Sequence, residues 1–218
     1  MLDRLIFDAA ATSDDVRSVV SRLARFYRDT PPVEIAGTAY CDGFARGIAA
    51  NLRELSAPAY GLPAELIATI GTQQRAFLEH RPELLDKRAR VGRIVEAHGD
   101  LRPEHICLEP EPQIIRLPGV FARAAHPRPR GRACVPGART RTARRARFAA
   151  TIFETYTGIT GDVAPAPLLG FYRSYRACVR AKLAIWHLND AEPREPSKWV
   201  ARAQDYLQLA SRHGAFTA

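Results

Sequence analysis

Lysine is scarce in this 218-residue chain: Lys87, Lys182 and Lys198 are the only three among 32 basic residues. Cysteine occurs four times, as Cys41, Cys107, Cys134 and Cys178, with no C-x-x-C pair. That scatter excludes a zinc ribbon or a disulfide framework and suits a reducing compartment, so a cytoplasmic protein is expected. No apolar run approaches the roughly eighteen uncharged residues that a membrane-crossing helix needs, so no transmembrane helix is expected. The opening MLDRLIFDAA lacks the basic-then-apolar build of a signal peptide. No G-x-G-x-x-G occurs either. Acid is missing where it matters most, for Arg116 to Arg147 holds ten arginines and not one Asp or Glu.

That gap locates the charge. The chain carries a net +9 and a pI near 9.9, values that ordinarily point to nucleic acid. Without the 116–147 window, 22 basic residues face 23 acidic ones, a net of −1. The basicity therefore belongs to one segment. The remaining text, in a chain that is 46% hydrophobic, can build the core of one domain or of one lobe of a larger one.

Most of the chain reads as helix. Ser13 is a candidate N-cap, with Asp14 and Asp15 in the first turn where the helix dipole favours them. Val16, Val19, Val20, Leu23, Phe26 and Tyr27 follow at helical spacing until Pro31-Pro32. Further helices are expected over about 40–55 and from Pro63, the latter with Leu66, Ile67, Ile70, Phe77 and Leu78 on one side. Short strands are expected at 93–96, 105–108 and 113–115, the last two joined through Pro110-Glu111-Pro112 as a hairpin. Helix resumes at Phe148. One long helix is expected over about 167–188, with Tyr172, Tyr175, Val179, Leu183 and Trp186 on a common face, and another over 197–212 capped by Ser197. Arg173, Arg176 and Arg180 are expected on a solvated helix face, a reading that ranks above a membrane-surface role, so no membrane partner is expected.

Between the first strand and the hairpin stands His98-Gly99-Asp100-Leu101. Kinase-like phosphotransferases carry H-x-D-L-x-x-x-N at this place. An Asp on a rigid loop can accept or orient the proton of an attacking hydroxyl, help typically worth about 10² to 10⁴ in rate. The residue five positions later binds a metal on the phosphates, and a carboxylate after the next strand completes the metal site. The phrase HGDLRPEHI resembles the loop of the aminoglycoside phosphotransferase and choline kinase superfamily. It is most similar to bacterial kinase-like domains fused to a P-loop ATP-binding domain, whose later helix resembles the text from Phe171 to Leu188. The resemblance implies the C-terminal lobe of a protein-kinase-like fold, mostly α with a small β-hairpin beside the catalytic loop. It implies ATP- and Mg²⁺-dependent phosphoryl transfer to a small-molecule hydroxyl, with Asp100 as catalytic base and His98 structuring the loop. His105 stands at the family's Asn position near the metal, where imidazole is a poorer magnesium ligand than an amide oxygen.

Two parts of the family pattern are missing. None of the three lysines lies in a V-A-I-K-like strand, so the resemblance covers the C-terminal lobe alone. A separate nucleotide-binding lobe or P-loop ATP-binding domain is the partner it implies, beside the phosphate acceptor. The metal-binding Asp is also missing. Family text close to I-I-D-C-L-E-F is replaced by Ile114-Ile115-Arg116-Leu117-Pro118-Gly119-Val120, which puts Arg116 at the lost metal site. A reading-frame shift accounts for this. ATC GAC TGC CTG GAG TTC, given one extra C after ATC, becomes ATC CGA CTG CCT GGA GTT and encodes Ile115 to Val120. One-base shifts likewise turn residues 124–137 into L-I-L-D-P-A-D-E-L-A-F-L-A-L, and 138–147 into the helical text L-E-R-E-R-L-G-A.

The expectation is thus a single lobe with a helical part (1–92), a catalytic loop and hairpin (93–117), an irregular Arg/Pro-rich segment out of frame (118–147) and C-terminal helices (148–218). Such a chain is expected to be a kinase-like fragment without activity alone. A competing reading takes 116–147 at face value, as an arm whose arginines contact nucleic-acid phosphates. Phe121 is its only aromatic, so base stacking is poorly served and nucleic acid is not the expected partner. Resequencing the coding DNA across residues 110–150 decides between them. The frame-shift reading expects one extra base near codon 116 and one missing near codon 147, and an intact frame would refute it.

Overall fold

The computed structural model describes residues 1–97, 101, 103–109, 111–114, 122–123, 138–189 and 195–214. In chain order it holds α1 (Leu2–Phe7), α2 (Ser13–Asp29), α3 (Gly37–Leu55), α4 (Ala64–His80), α5 (Pro82–Arg90), β1 (Glu96–Ala97), β2 (Ile106–Cys107) and β3 (Gln113–Ile114). Then come β4 (Ala122–Arg123), α6 (Ala138–Thr160), α7 (Ala166–Ile185) and α8 (Pro196–His213). Three 3-10 turns lie at Pro58–Tyr60, Pro103–His105 and Trp186–Asn189. The protein is mostly helical with small antiparallel strand pairs, β1 with β4 and β2 with β3. It divides into two compact units, one made of 1–33 and 92–163, the other of 34–91 and 164–218.

In the first unit, α2 begins one residue from where the sequence suggested. Thr12 is the N-cap, not Ser13: its Oγ1 accepts the Asp15 N–H at 3.1 Å, and Asp15 Oδ2 accepts the Thr12 N–H at 2.8 Å. Each end of this capping box satisfies a backbone donor that the first turn leaves over. Val16, Val19, Val20 and Ala24 are buried, while Phe26, expected among them, is 55% exposed. The helix stops at Asp29 before the two prolines, and the chain crosses to Val95 through an antiparallel bridge at Pro32. Helix α2 lies along α6, which begins at Ala138 rather than Phe148, within the segment expected to be irregular; β4 lies in the same segment. Residues 124–137, where the alternative frame spells a helix, lie outside the described residues. Gly161 ends α6 with φ +64, a left-handed conformation that costs glycine little, and its N–H donates to Thr157 O at 2.8 Å.

The second unit is a bundle of α3, α4, α5, α7 and α8. Its core joins Leu55, Ile67 and Ile70 to Ala177, Cys178, Ala181, Ala184 and Ile185 of α7 and to Ala203, Leu207 and Ala210 of α8. Alanines on both α7 and α8 let the two helices approach closely. The buried face of α7 is therefore not the one its large residues suggested. Of the expected face only Tyr172 is buried, beside Leu168, Phe171, Ser174, Cys178, Ala181 and Ile185, whereas Tyr175, Val179 and Leu183 are half-buried and Trp186 is 46% exposed. The arginines expected in solvent are not: Arg180 is buried, and Arg173 and Arg176 are half-buried.

Aromatic rings fill the other end of this bundle. Phe44 meets Tyr40, Phe171 and Tyr175 edge-on at centroid distances of 5.1, 5.1 and 4.9 Å, and Phe77 stacks on Phe171 at 4.3 Å. Gln74, fully buried, donates to Ser174 Oγ at 2.9 Å and to Cys178 Sγ at 3.4 Å. Burial pushes the Cys178 thiol up to about 12. Glycine is required at position 37, where a Cβ would lie 2.8 Å from the Asp86 Cα of α5. Finally, α8 is not capped by Ser197. Its N-cap is Glu195, with φ 52, and Pro196 stands at the first position.

Candidate functional site

The residues around the HGDL phrase are held by the first unit. Strand β1 enters the loop, and Glu96 and Ala97 pair with Arg123 and Ala122 of β4. Leu101 leaves it half-buried, followed by the 3-10 turn Pro103–His105. The chain then forms the β2–β3 hairpin, with Ile106 opposite Ile114 and Cys107 opposite Gln113. The hairpin expected from Pro110-Glu111-Pro112 is thus present.

What seats it is a small apolar core. Leu2 of α1, Ala11, Val19 of α2 and Ile106 of β2 are all buried, with Leu5, Leu23, Leu101, Leu108 and Phe148 packed around them. Leu101 and Ile106, one before and one after the 3-10 turn, are therefore pinned to helices. Near the hairpin tip, Glu111 pairs with Arg22 of α2 at 3.5 Å. Both side chains are well exposed, so this pair contributes under about 1 kcal/mol and orients more than it stabilises. The sequence reading did not assign α1, though Leu2 and Leu5 stand at the i, i+3 spacing of a helix face.

His98, Asp100 and Arg116 lie outside the described residues. His105 is the last residue of the 3-10 turn, half-buried, directly before the anchoring Ile106. Among the described residues no group of three or more His, Cys, Asp or Glu side chains converges as a metal site. Magnesium takes an octahedral set of oxygens and dehydrates reluctantly. An imidazole at 105 and, in the sequence, a guanidinium at 116 do not make such a set. The donors named for the metal therefore do not fit it.

No family model, no curated protein and no solved structure matches the chain.

The seating of the hairpin is open to test. Ile106→Ala should cost about 2 kcal/mol in urea unfolding, and more if the site cannot collapse. It should also speed amide exchange at Cys107 and Ile114. Unchanged exchange there would show that the hairpin is held by something other than Ile106.

Proposed function

We propose that the chain is the C-terminal lobe of a kinase-like phosphotransferase, similar to the aminoglycoside phosphotransferase and choline kinase superfamily, and that by itself it transfers no phosphoryl group. The observation that carries the reading is the order of elements around HGDL. A strand enters, a short loop and 3-10 turn follow, and an antiparallel hairpin seated on helices comes next. That order lets a loop Asp and a residue at the far end of the hairpin serve one centre.

In this reading Asp100 is the base that accepts the proton of a small-molecule hydroxyl, and His98 holds the loop. The family reaction depends on positioning and on charge stabilisation of the transferring phosphoryl group more than on covalent chemistry by the protein. Arg116 at the place of the metal-binding carboxylate adds positive charge where a divalent cation belongs. That repels the ion and forfeits several kcal/mol of charge stabilisation. His105 supplies nitrogen in place of an amide oxygen. The chemistry is lost at the metal site while the base is retained.

The full chain, incubated with MgATP and a panel of aminoglycoside and aminoalcohol acceptors, should show neither nucleotide binding by calorimetry nor turnover in a coupled assay. ATP turnover that disappears on Asp100→Asn would establish an active kinase and overturn the proposal of inactivity.

A further inference from the structure

Outside the arginine-rich window the charge is not evenly spread. Residues 166–214 contain eight basic and four acidic residues, a net of +4, against −5 for the rest of the chain outside 116–147. The two helices concentrate it. Helix α7 carries Arg173, Arg176, Arg180 and Lys182 and no acid, with Arg180 buried and the other three half-buried, and α8 carries Lys198, Arg202 and Arg212 against Asp205.

Several of these cations rest on aromatic rings. The Lys182 ammonium lies 5.4 Å from the centre of the Trp186 ring, and Arg180 lies 5.7 Å from that of Tyr206. Trp199 has Lys198 at 5.9 Å and Arg202 at 5.7 Å, and the His187 ring stacks on it at 3.9 Å. Such pairs occur about once per 70–80 residues in proteins, so four between residues 180 and 206 mark a concentration. Trp186 is 46% exposed, yet its indole N–H donates to Glu54 Oε1 at 3.1 Å, which fixes the ring at the surface. The same carboxylate accepts from Tyr60 at 3.4 Å.

We propose that this face of α7, the following 3-10 turn and α8 binds single-stranded nucleic acid. Trp186 offers a fixed ring on which a base stacks, and Lys182, Lys198 and Arg202 meet the phosphates. Every base has a π-face, so fixed aromatics beside cations suit a single strand without sequence preference. A polymer fits better than one nucleotide. Trp199 and Tyr206 stand seven residues apart on α8, about 10 Å at 1.5 Å per residue, so the basic, aromatic face extends past a single phosphate. Of the three rings only Trp186 is exposed, while Trp199 and Tyr206 are half-buried against the core. Lys198 also pairs with Glu195, an exposed pair worth little, and a phosphate oxygen takes such a cation with a charge-assisted bond. This site is separate from the phosphotransferase reading and from the arginines of 116–147.

Trp186 and Trp199 are the only two tryptophans, so tryptophan emission reports on this face alone. The full chain is titrated with an unlabelled uridine 12-mer while emission is followed, and binding is followed in parallel by anisotropy of a labelled copy. Quenching should accompany binding. With three phosphate contacts and a slope of about −0.7 per contact, affinity should fall about twentyfold from ~50 to ~200 mM salt. Trp186→Ala should weaken the labelled oligomer about tenfold, and Asp205→Asn should strengthen it. Should Trp186→Ala lose its helical circular dichroism, Lys198→Ala, at an exposed residue, carries the test by lowering the salt slope. Binding without quenching would place the strand on the 116–147 arginines and overturn the proposal. Equal quenching by heparin, which has no bases, would reduce the face to a general polyanion site and overturn it too, as would no binding at all.

Discussion

Burial of Ile106 against Leu2, Ala11 and Val19 is the contact on which the arrangement around the HGDL phrase depends. Two-residue strands hold few ladder hydrogen bonds, and an isolated hairpin is marginal in water. Apolar burial on helices supplies what the ladder lacks. Because Leu101 joins the same core, the loop is tied down on both sides of its 3-10 turn. The packing of α1 and α2 thus fixes the residues that follow the phrase, Leu101 and Ile106.

The second unit works by a different rule. Its helices approach closely because small residues, Ala177, Ala181, Ala184, Ala203 and Ala210, occupy the contacts between α7 and α8. Larger rings are gathered instead around Phe44, Phe77 and Phe171. With the core of α7 and α8 given to small side chains, their long cationic side chains and both tryptophans lie at its margins. There they cover one another, cation over ring.

Helical spacing made α2, α3, α4, α7 and α8 legible in the sequence, and β-branched pairs around Pro110-Glu111-Pro112 made the hairpin legible. What was missed has physical causes. Thr12 and Ser13 are both good caps, and the box closes with Asp15 where the familiar pattern has Glu or Gln, so residue type alone does not single out Thr12. The α7 face was assigned by side-chain size, but a close helix pair buries alanine and turns Trp186 outward to a carboxylate partner. The basic character of α7 and α8 was hidden by summing charge over the whole remainder, where acidic text elsewhere cancelled it. The candidate site was legible only as a motif: its base and its metal position come from the sequence, and the structure contributes the seat of the hairpin between them.

The most direct test is to restore the metal site and look for the metal. The chain carrying both His105→Asn and Arg116→Asp is titrated with Mg²⁺ by calorimetry beside the unaltered chain. A measurable Mg²⁺ affinity in the double variant, lost when either position is reverted and absent from the unaltered chain, is the predicted result. No binding by a folded double variant would mean that these positions do not share a centre, and the kinase-like reading of the HGDL phrase would be wrong.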